Sequence, residues 1–300
     1  MTKLSRLGLG TVQFGLEYGV SNRSGRPSER EVAAILARAA GAGVGIIDTA
    51  PAYGEAEVLV GRHLPPGHAL RIVTKTPAMS TDAIDARHGQ LVLDTLAVSL
   101  DHLKVDAVHG LLVHRSGDLA KPGWQYLVDA MIEAKSRGWT SRIGASVYND
   151  DQLTLVESRF RPEVVQLPLN VLDRRPIVSG TLVRLKSSGI EVHARSAFLQ
   201  GVLLMEPDDL PAFFAPVRQR IVALRELWRK RGASALDGCL AFALQRPEID
   251  AVVVGVNCLK EFEQIELAVA SSAGVDCDID TGEPIDPVYI DPSLWPAFVH

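Results

Sequence analysis

Cysteine is scarce in this chain: Cys239, Cys258 and Cys277 are the only three in 300 residues, and they lie far apart. An odd number without paired spacing argues against a disulfide framework or a zinc site, so reduced thiols and no metal are expected. Long apolar runs are also missing. The N-terminus, Met1-Thr2-Lys3-Leu4-Ser5-Arg6, has no apolar signal core, and no stretch is long enough to cross a bilayer. A cytoplasmic protein without a membrane partner is the expectation. Positive charge is not in excess: 31 basic against 36 acidic side chains give a formal charge of −5, which argues against a nucleic-acid partner. The densest basic cluster, Arg225 to Arg231, is interleaved with Leu227 and Trp228 and reads as a solvated helix face. No Pro/Gly/Ser-rich linker divides the chain, so residues 1–300 are read as a single domain.

What is present is apolar material for a sizeable core, 47% of residues against 22% charged, arranged as strand, turn and helix in repetition. Strands are predicted at Arg6 to Thr11, Val44 to Asp48, Leu70 to Lys75, Ala107 to His114, Ser141 to Val147, Glu163 to Leu167, Ile190 to Ala194 and Ala251 to Gly255. Between them fall helical stretches such as Val32 to Ala39, opened by a capping box at Ser28-Glu29-Arg30-Glu31, Asp82 to Leu103, and Ile177 to Ser188. Alternation implies parallel strands with right-handed crossovers, and eight units suggest a closed α/β architecture, the (β/α)8 TIM barrel. Residues 271–300 form an irregular acidic tail. No Lys or Arg follows Lys260, and Pro284, Pro287 and Pro292 oppose continued helix. Trp295 and Phe298 need burial, either by packing on the barrel or by covering a substrate pocket.

Four polar residues stand at or just beyond the ends of apolar runs: Asp48, Tyr53, Lys75 and His114. In a barrel the C-terminal strand ends and the loops after them build the active site. These four come from consecutive strands, so they can converge. Their chemistry is complementary: a phenol to give a proton, an ammonium to tune it, a carboxylate to hold the ammonium, and an imidazole to orient a polar substrate.

Asp48-Thr49-Ala50, then Tyr53-Gly54, Glu57 and Gly61, resembles the first signature of the aldo-keto reductases. Ser99-Leu100-Asp101-His102-Leu103, Asp106 and Leu111-Leu112-Val113-His114 resemble the second, and Lys75 completes the family tetrad. The resemblance runs from Leu7 to about Leu267. It implies an NAD(P)(H)-dependent oxidoreductase that interconverts a carbonyl and an alcohol by hydride transfer. Tyr53 would be the general acid, its pKa lowered from ~10 by Lys75, which Asp48 holds in place, while neutral His114 donates to the carbonyl.

The same resemblance assigns a cofactor site without a Rossmann fingerprint. Thr11 and Asp48, then Ser146 and Gln166 for the carboxamide, belong to it. Arg195 stands where many members stack a tyrosine on nicotinamide, and Ser196, Phe198, Leu199 and Gly201 form the pyrophosphate loop. Gly255, Val256, Asn257 and Glu261 follow the last strand. Val147 replaces the asparagine usual beside the serine. Family precedent favours NADP(H), whereas a carboxylate at Glu261 favours NAD(H) or dual use, so both cofactors stay open. Tyr53, His114, Phe14, Tyr18 and Arg115 are candidate substrate contacts, with Gln13 and Trp124 as further wall residues, for a small polar or sugar-like carbonyl compound. His109 is expected to pack beneath a helix, on the opposite face from His114. Two other readings are a non-catalytic cofactor-binding subunit on the same fold and an unrelated phosphosugar isomerase barrel. Oligomeric state is not readable.

Overall fold

The computed structural model describes residues 3–276 and 283–296. Cys277, Asp278, Asp280 and Phe298 lie outside the described residues. Eight strands close into one parallel barrel: β1 Leu7–Gly10, β2 Ile46–Asp48, β3 Arg71–Lys75, β4 Val108–Val113, β5 Thr140–Ser146, β6 Val164–Pro168, β7 Glu191–Arg195 and β8 Ala251–Gly255. Each strand pairs with the next in sequence, and β1 closes on β8. The eight predicted strands are all present, displaced by at most two residues at either end. They are legible because strands buried on both faces read as nearly continuous apolar runs.

Pleat alternation sorts the side chains. Ile46, Val73, Leu112, Val164 and Ala251 meet inside the barrel. Neighbours such as Ile47, Ile72, Leu111 and Val165 face outward into the larger core beneath the helices. The long helix Ala86–Leu103 packs there through Val92, Leu93, Leu96, Leu100 and Leu103. It begins later than its composition suggests because Asp85 caps it, accepting from the backbone of Arg87 and His88 while the His88 ring accepts from Asp85 N.

Two helix predictions need correction. The stretch Ile177 to Ser188 is broken into Arg175–Val178 and Thr181–Ser187 by Gly180, which takes the left-handed conformation at φ 74°. At the helix Glu29–Ala42, Ser28 accepts from Glu31 N as a cap should. The Glu31 carboxylate does not close the box, however, and accepts instead from Leu259 N, after β8.

The N-terminal end of the barrel is plugged by charge. Glu191, the first residue of β7, accepts from Arg71 at 3.3 Å and bonds to His109 and His193 at 2.9 Å each, with Arg142 at 3.3 Å. His109 therefore belongs to this floor network rather than packing beneath a helix. Burial opposes ionisation of Glu191, but the hydrogen bonds from both imidazoles hold its carboxyl well below the usual carboxylate range.

The C-terminal segment packs on the barrel and also walls a cavity. Trp295 is buried with its ring edge-on to Phe214 at 5.1 Å, and Tyr289 meets Phe213 at 5.4 Å. Arg175 bonds to the buried Asp173 at 2.7 Å and lies 3.7 Å from Asp291, tying the tail to the loop after β6. Between that loop, residues 147–153 and the tail lies a cavity of about 880 Å³, with Ile285, Ile290 and Leu294 on its wall. No helix among the described residues is long and apolar enough to cross a membrane.

Candidate active site

Asp48 and Lys75 are the last residues of β2 and β3; the register pairs Asp48 with Val73, so Lys75 stands two residues further along at the same end of the barrel. Lys75 Nζ donates to Asp48 Oδ1 at 3.0 Å and Oδ2 at 2.9 Å, and to Thr49 O at 2.9 Å. Both side chains are almost fully buried, 2% and 5% exposed, so neither charge could be tolerated alone. Gln166 on β6 adds a third hydrogen bond to this carboxylate, from Nε2 to Asp48 Oδ1 at 2.7 Å.

Tyr53 lies in the loop after β2, and glycine positions it. A Cβ on Gly15 would come within 1.7 Å of Tyr53 O, and Gly54 sits at φ 58° with its own Cβ position 2.8 Å from Gly15 O. Only two glycines allow the loops after β1 and β2 to pack this closely. The Tyr53 ring then lies with its centroid 5.0 Å from Lys75 Nζ, which sets the phenol against the ammonium. His114, one residue beyond β4, meets Tyr53 edge-on, with centroids 5.8 Å apart and planes at 86°. Its backbone N donates to Thr76 Oγ1 at 3.3 Å.

Electrostatics divides the four groups into distinct states. Burial pushes the Tyr53 phenol above its ordinary value of 10.0; Lys75 pulls it down by charge and hydrogen bond, but by less. The expected net lowering is therefore corrected: dehydration of the phenolate outweighs the ammonium. Burial also opposes the charge on Lys75, yet Asp48 and Tyr53 raise its pKa overall. His114 is lowered to about 4 by burial and then by the Lys75 charge, so its imidazole is neutral at physiological pH. A protonated phenol on an ammonium, beside a neutral imidazole, can give a proton to a carbonyl oxygen while the imidazole donates a hydrogen bond.

Two of the four, Asp48 and Tyr53, line a cavity of about 420 Å³ that runs across the ends of β7 and β8, whereas Lys75 and His114, the latter expected to touch substrate, stand behind its wall. Of the residues expected to hold a cofactor, Thr11, Asp48, Gln166, Arg195, Ser196, Phe198, Gly201, Gly255, Val256, Asn257 and Glu261 line it. Ser146 does not; it is buried behind Gln166 and donates to Gln166 Oε1 at 3.4 Å. Leu199 does not either, because its side chain is wholly buried in the core. Arg195 stacks on Tyr148, with Cζ 4.0 Å from the ring centroid, and donates to Val147 O at 3.1 Å. Sequence reasoning did not single out Tyr148 as part of the site. It lines the larger cavity, so this pair stands between the two cavities.

Among the candidate substrate contacts, Tyr18 and Tyr53 line the smaller cavity. Phe14 is fully buried in the core, since its helical turn Val12–Gly15 directs it inward, and Arg115 is exposed. Trp124 carries the Arg159 guanidinium at 4.8 Å. Gln13 lies directly over Gly255: a Cβ there would come within 2.3 Å of its amide.

The loop after β7 stores backbone strain. Ser196, Leu199 and Gln200 take φ of 59°, 49° and 54°, and Gly201 takes 90°. Non-glycine residues in this region cost about 1–3 kcal/mol each, and such strain clusters at ligand clamps. Asn170 Nδ2 donates to Ser196 O at 3.1 Å and Val20 N to Gln200 O at 3.0 Å, pinning the conformation. The cavity also holds three buried amide oxygens without a protein partner among the described residues: Gln13 Oε1, Gln200 Oε1 and Asn257 Oδ1. Buried acceptors of this kind suit a ligand rich in hydroxyl and amino donors, as a nicotinamide dinucleotide is. No cluster of metal-ligating side chains occurs among the described residues.

Comparison with known proteins points to one family. The model of the Aldo/keto reductase family matches residues 6–273. L-galactose dehydrogenase of Arabidopsis thaliana is 23% identical over 315 residues, covering 99% of this chain and 95% of that protein. Among solved structures, aldo-keto reductase AKR11C1 from Bacillus halodurans, in its holo form, superposes with a TM-score of 0.71 at 18% identity, over 95% of this chain and 89% of that one. PA4992 from Pseudomonas aeruginosa superposes with 0.65 at 22% identity, over 89% and 90%. These two structures are alike in fold.

Proposed function

The chain belongs to the aldo/keto reductase family and is an NAD(P)-dependent oxidoreductase, and from that premise we propose that it interconverts a carbonyl and an alcohol with Tyr53 as the general acid and base. The observation that carries this reading is the Lys75 ammonium, held by both oxygens of Asp48 and set against the Tyr53 phenol. A structural ion pair would need no phenol beside it, and a binding module would need no proton donor.

A nicotinamide cofactor, when bound, supplies or takes the hydride. In the reducing direction Tyr53 Oη gives its proton to the developing alkoxide, and the adjacent Lys75 charge stabilises the phenolate left behind. Asp48 keeps that ammonium charged and in place. His114, neutral above pH of about 4, donates to the carbonyl oxygen and orients the carbon for attack. Thr11, Gln166 and the 196–201 loop hold the cofactor, with Ser146 steadying Gln166 from behind. Tyr18 and Tyr53 form polar walls for a small, hydroxyl-rich substrate. The relation to L-galactose dehydrogenase places aldoses first among the compounds to try.

The test is cofactor oxidation and reduction at 340 nm with a panel of aldoses, polar aldehydes and the corresponding alcohols. Turnover supports the enzyme. Tight cofactor binding without turnover across the panel would instead favour the non-catalytic cofactor-binding subunit.

A further inference from the structure

We propose that the part of the smaller cavity beside the loop after β8 is built for an adenosine ribose with a free 2′-hydroxyl, so that the protein selects NAD(H) over NADP(H). This rests on the reading of that cavity as the cofactor site. Three observations converge on it.

The first concerns the helix Leu259–Ser271, whose N-terminus faces the cavity. Free N–H groups at a helix N-terminus attract phosphate. Here two backbone N–H groups at this end, those of Asn257 and Leu259, are already taken by carboxylates of the chain itself. Glu261 Oε2 accepts from Asn257 N at 2.7 Å, and Glu31 accepts from Leu259 N. A 2′-phosphate arriving there would be repelled by the Glu261 carboxylate, which lines the cavity, whereas a hydroxyl can donate to it.

The second is the absence of countercharge. Arg195 is the one Lys or Arg among the described lining residues, and it is committed elsewhere, to the Tyr148 ring and Val147 O at the end of β7. Lys260, next to Glu261 in sequence, is exposed and does not line the cavity. The third is the set of buried amide oxygens. Asn257 Oδ1 and Gln13 Oε1 stand on the β8 side, and Gln200 Oε1 on the β7 loop, all without a donor among the described residues. Ribose hydroxyls and an adenine amino group supply donors; a phosphate dianion supplies none.

Dissociation constants for NADH and NADPH, measured by fluorescence titration of the full chain at low ionic strength, test the proposal without recourse to turnover. NADH is expected to bind at least ~tenfold tighter, with the gap shrinking as salt is added. Glu261→Gln keeps an acceptor for Asn257 N while removing the charge. It is expected to tighten NADPH several-fold without tightening NADH, and Glu31→Gln is expected to act in the same direction. Equal or tighter NADPH binding by the unaltered protein overturns the selectivity while leaving the cofactor reading standing. If neither nucleotide binds, both readings are overturned.

Discussion

Gln166 Nε2 donates to Asp48 Oδ1 at 2.7 Å, on the same oxygen that Lys75 Nζ approaches at 3.0 Å. The residue expected to hold a carboxamide thus also completes the shell of the carboxylate that fixes Lys75. Its other amide atom, Oε1, accepts from Ser146, so the amide is oriented before any ligand arrives.

Replacing Gln166 by leucine removes a donor from a buried carboxylate. The cost to stability is expected to be about 1–3 kcal/mol, read by urea denaturation. The same variant should weaken nicotinamide nucleotide binding. Unchanged stability together with unchanged binding would show that the bond to Asp48 carries no weight.

Tyr53→Phe keeps the ring against Lys75 and His114 and deletes only the hydroxyl. Turnover is expected to fall by ~10²–10⁴-fold, the usual contribution of a positioned acid, while the NADH dissociation constant stays within about twofold. Turnover near that of the unaltered protein, on a substrate it accepts, removes Tyr53 from the role.

Lys75→Met leaves Asp48 buried beside an apolar group. Breaking one side of a buried pair costs about 3–5 kcal/mol, and Asp48→Asn combined with Lys75→Met should restore a substantial part of it. A double-mutant cycle by chemical denaturation measures the coupling. Additive losses would mean that the two charges are not interdependent.

His114 gives a pH signature with a definite sign. Its folded pKa of about 4 lies below the unfolded value of 6.5, so between these pH values the unfolded chain binds the extra proton. Stability therefore falls as pH drops from about 6.5 towards about 4 and then levels off. The ring is only partly buried, so its contribution is at most roughly 2–3 kcal/mol. The difference in stability between the unaltered protein and His114→Gln, followed across that window, isolates it. A difference that does not vary with pH would mean that the imidazole titrates normally.

Much of the architecture was legible from local pattern. Buried parallel strands appear as short apolar runs whatever their partners, and a polar residue ending such a run announces itself. Asp48, Tyr53, Lys75 and His114 could be found for that reason, and consecutive strands in a closed barrel must bring them together. Phe14 and Arg115 were misplaced because a loop residue's direction depends on a local turn that composition does not reveal. Phe14 falls on a single helical turn that faces the core, and Arg115 points outward from the start of a 3-10 turn. Gly180 could have flagged the broken helix, since a left-handed residue ends one wherever it stands.

By itself, then, the sequence determined the strand and helix order, the barrel and the reacting groups, because each depends on residues within a few positions of one another. Tertiary structure decided how those groups are supported and which charge the cofactor site will accept. Gln166 reaches Asp48 across 118 residues, Glu31 reaches Leu259 across 228, and Arg195 reaches Val147 across 48. A carboxylate's preference for a helix cap, an ammonium or a hydroxyl depends on which donor lies within about 3 Å of it, and for these residues only the closed barrel sets that distance.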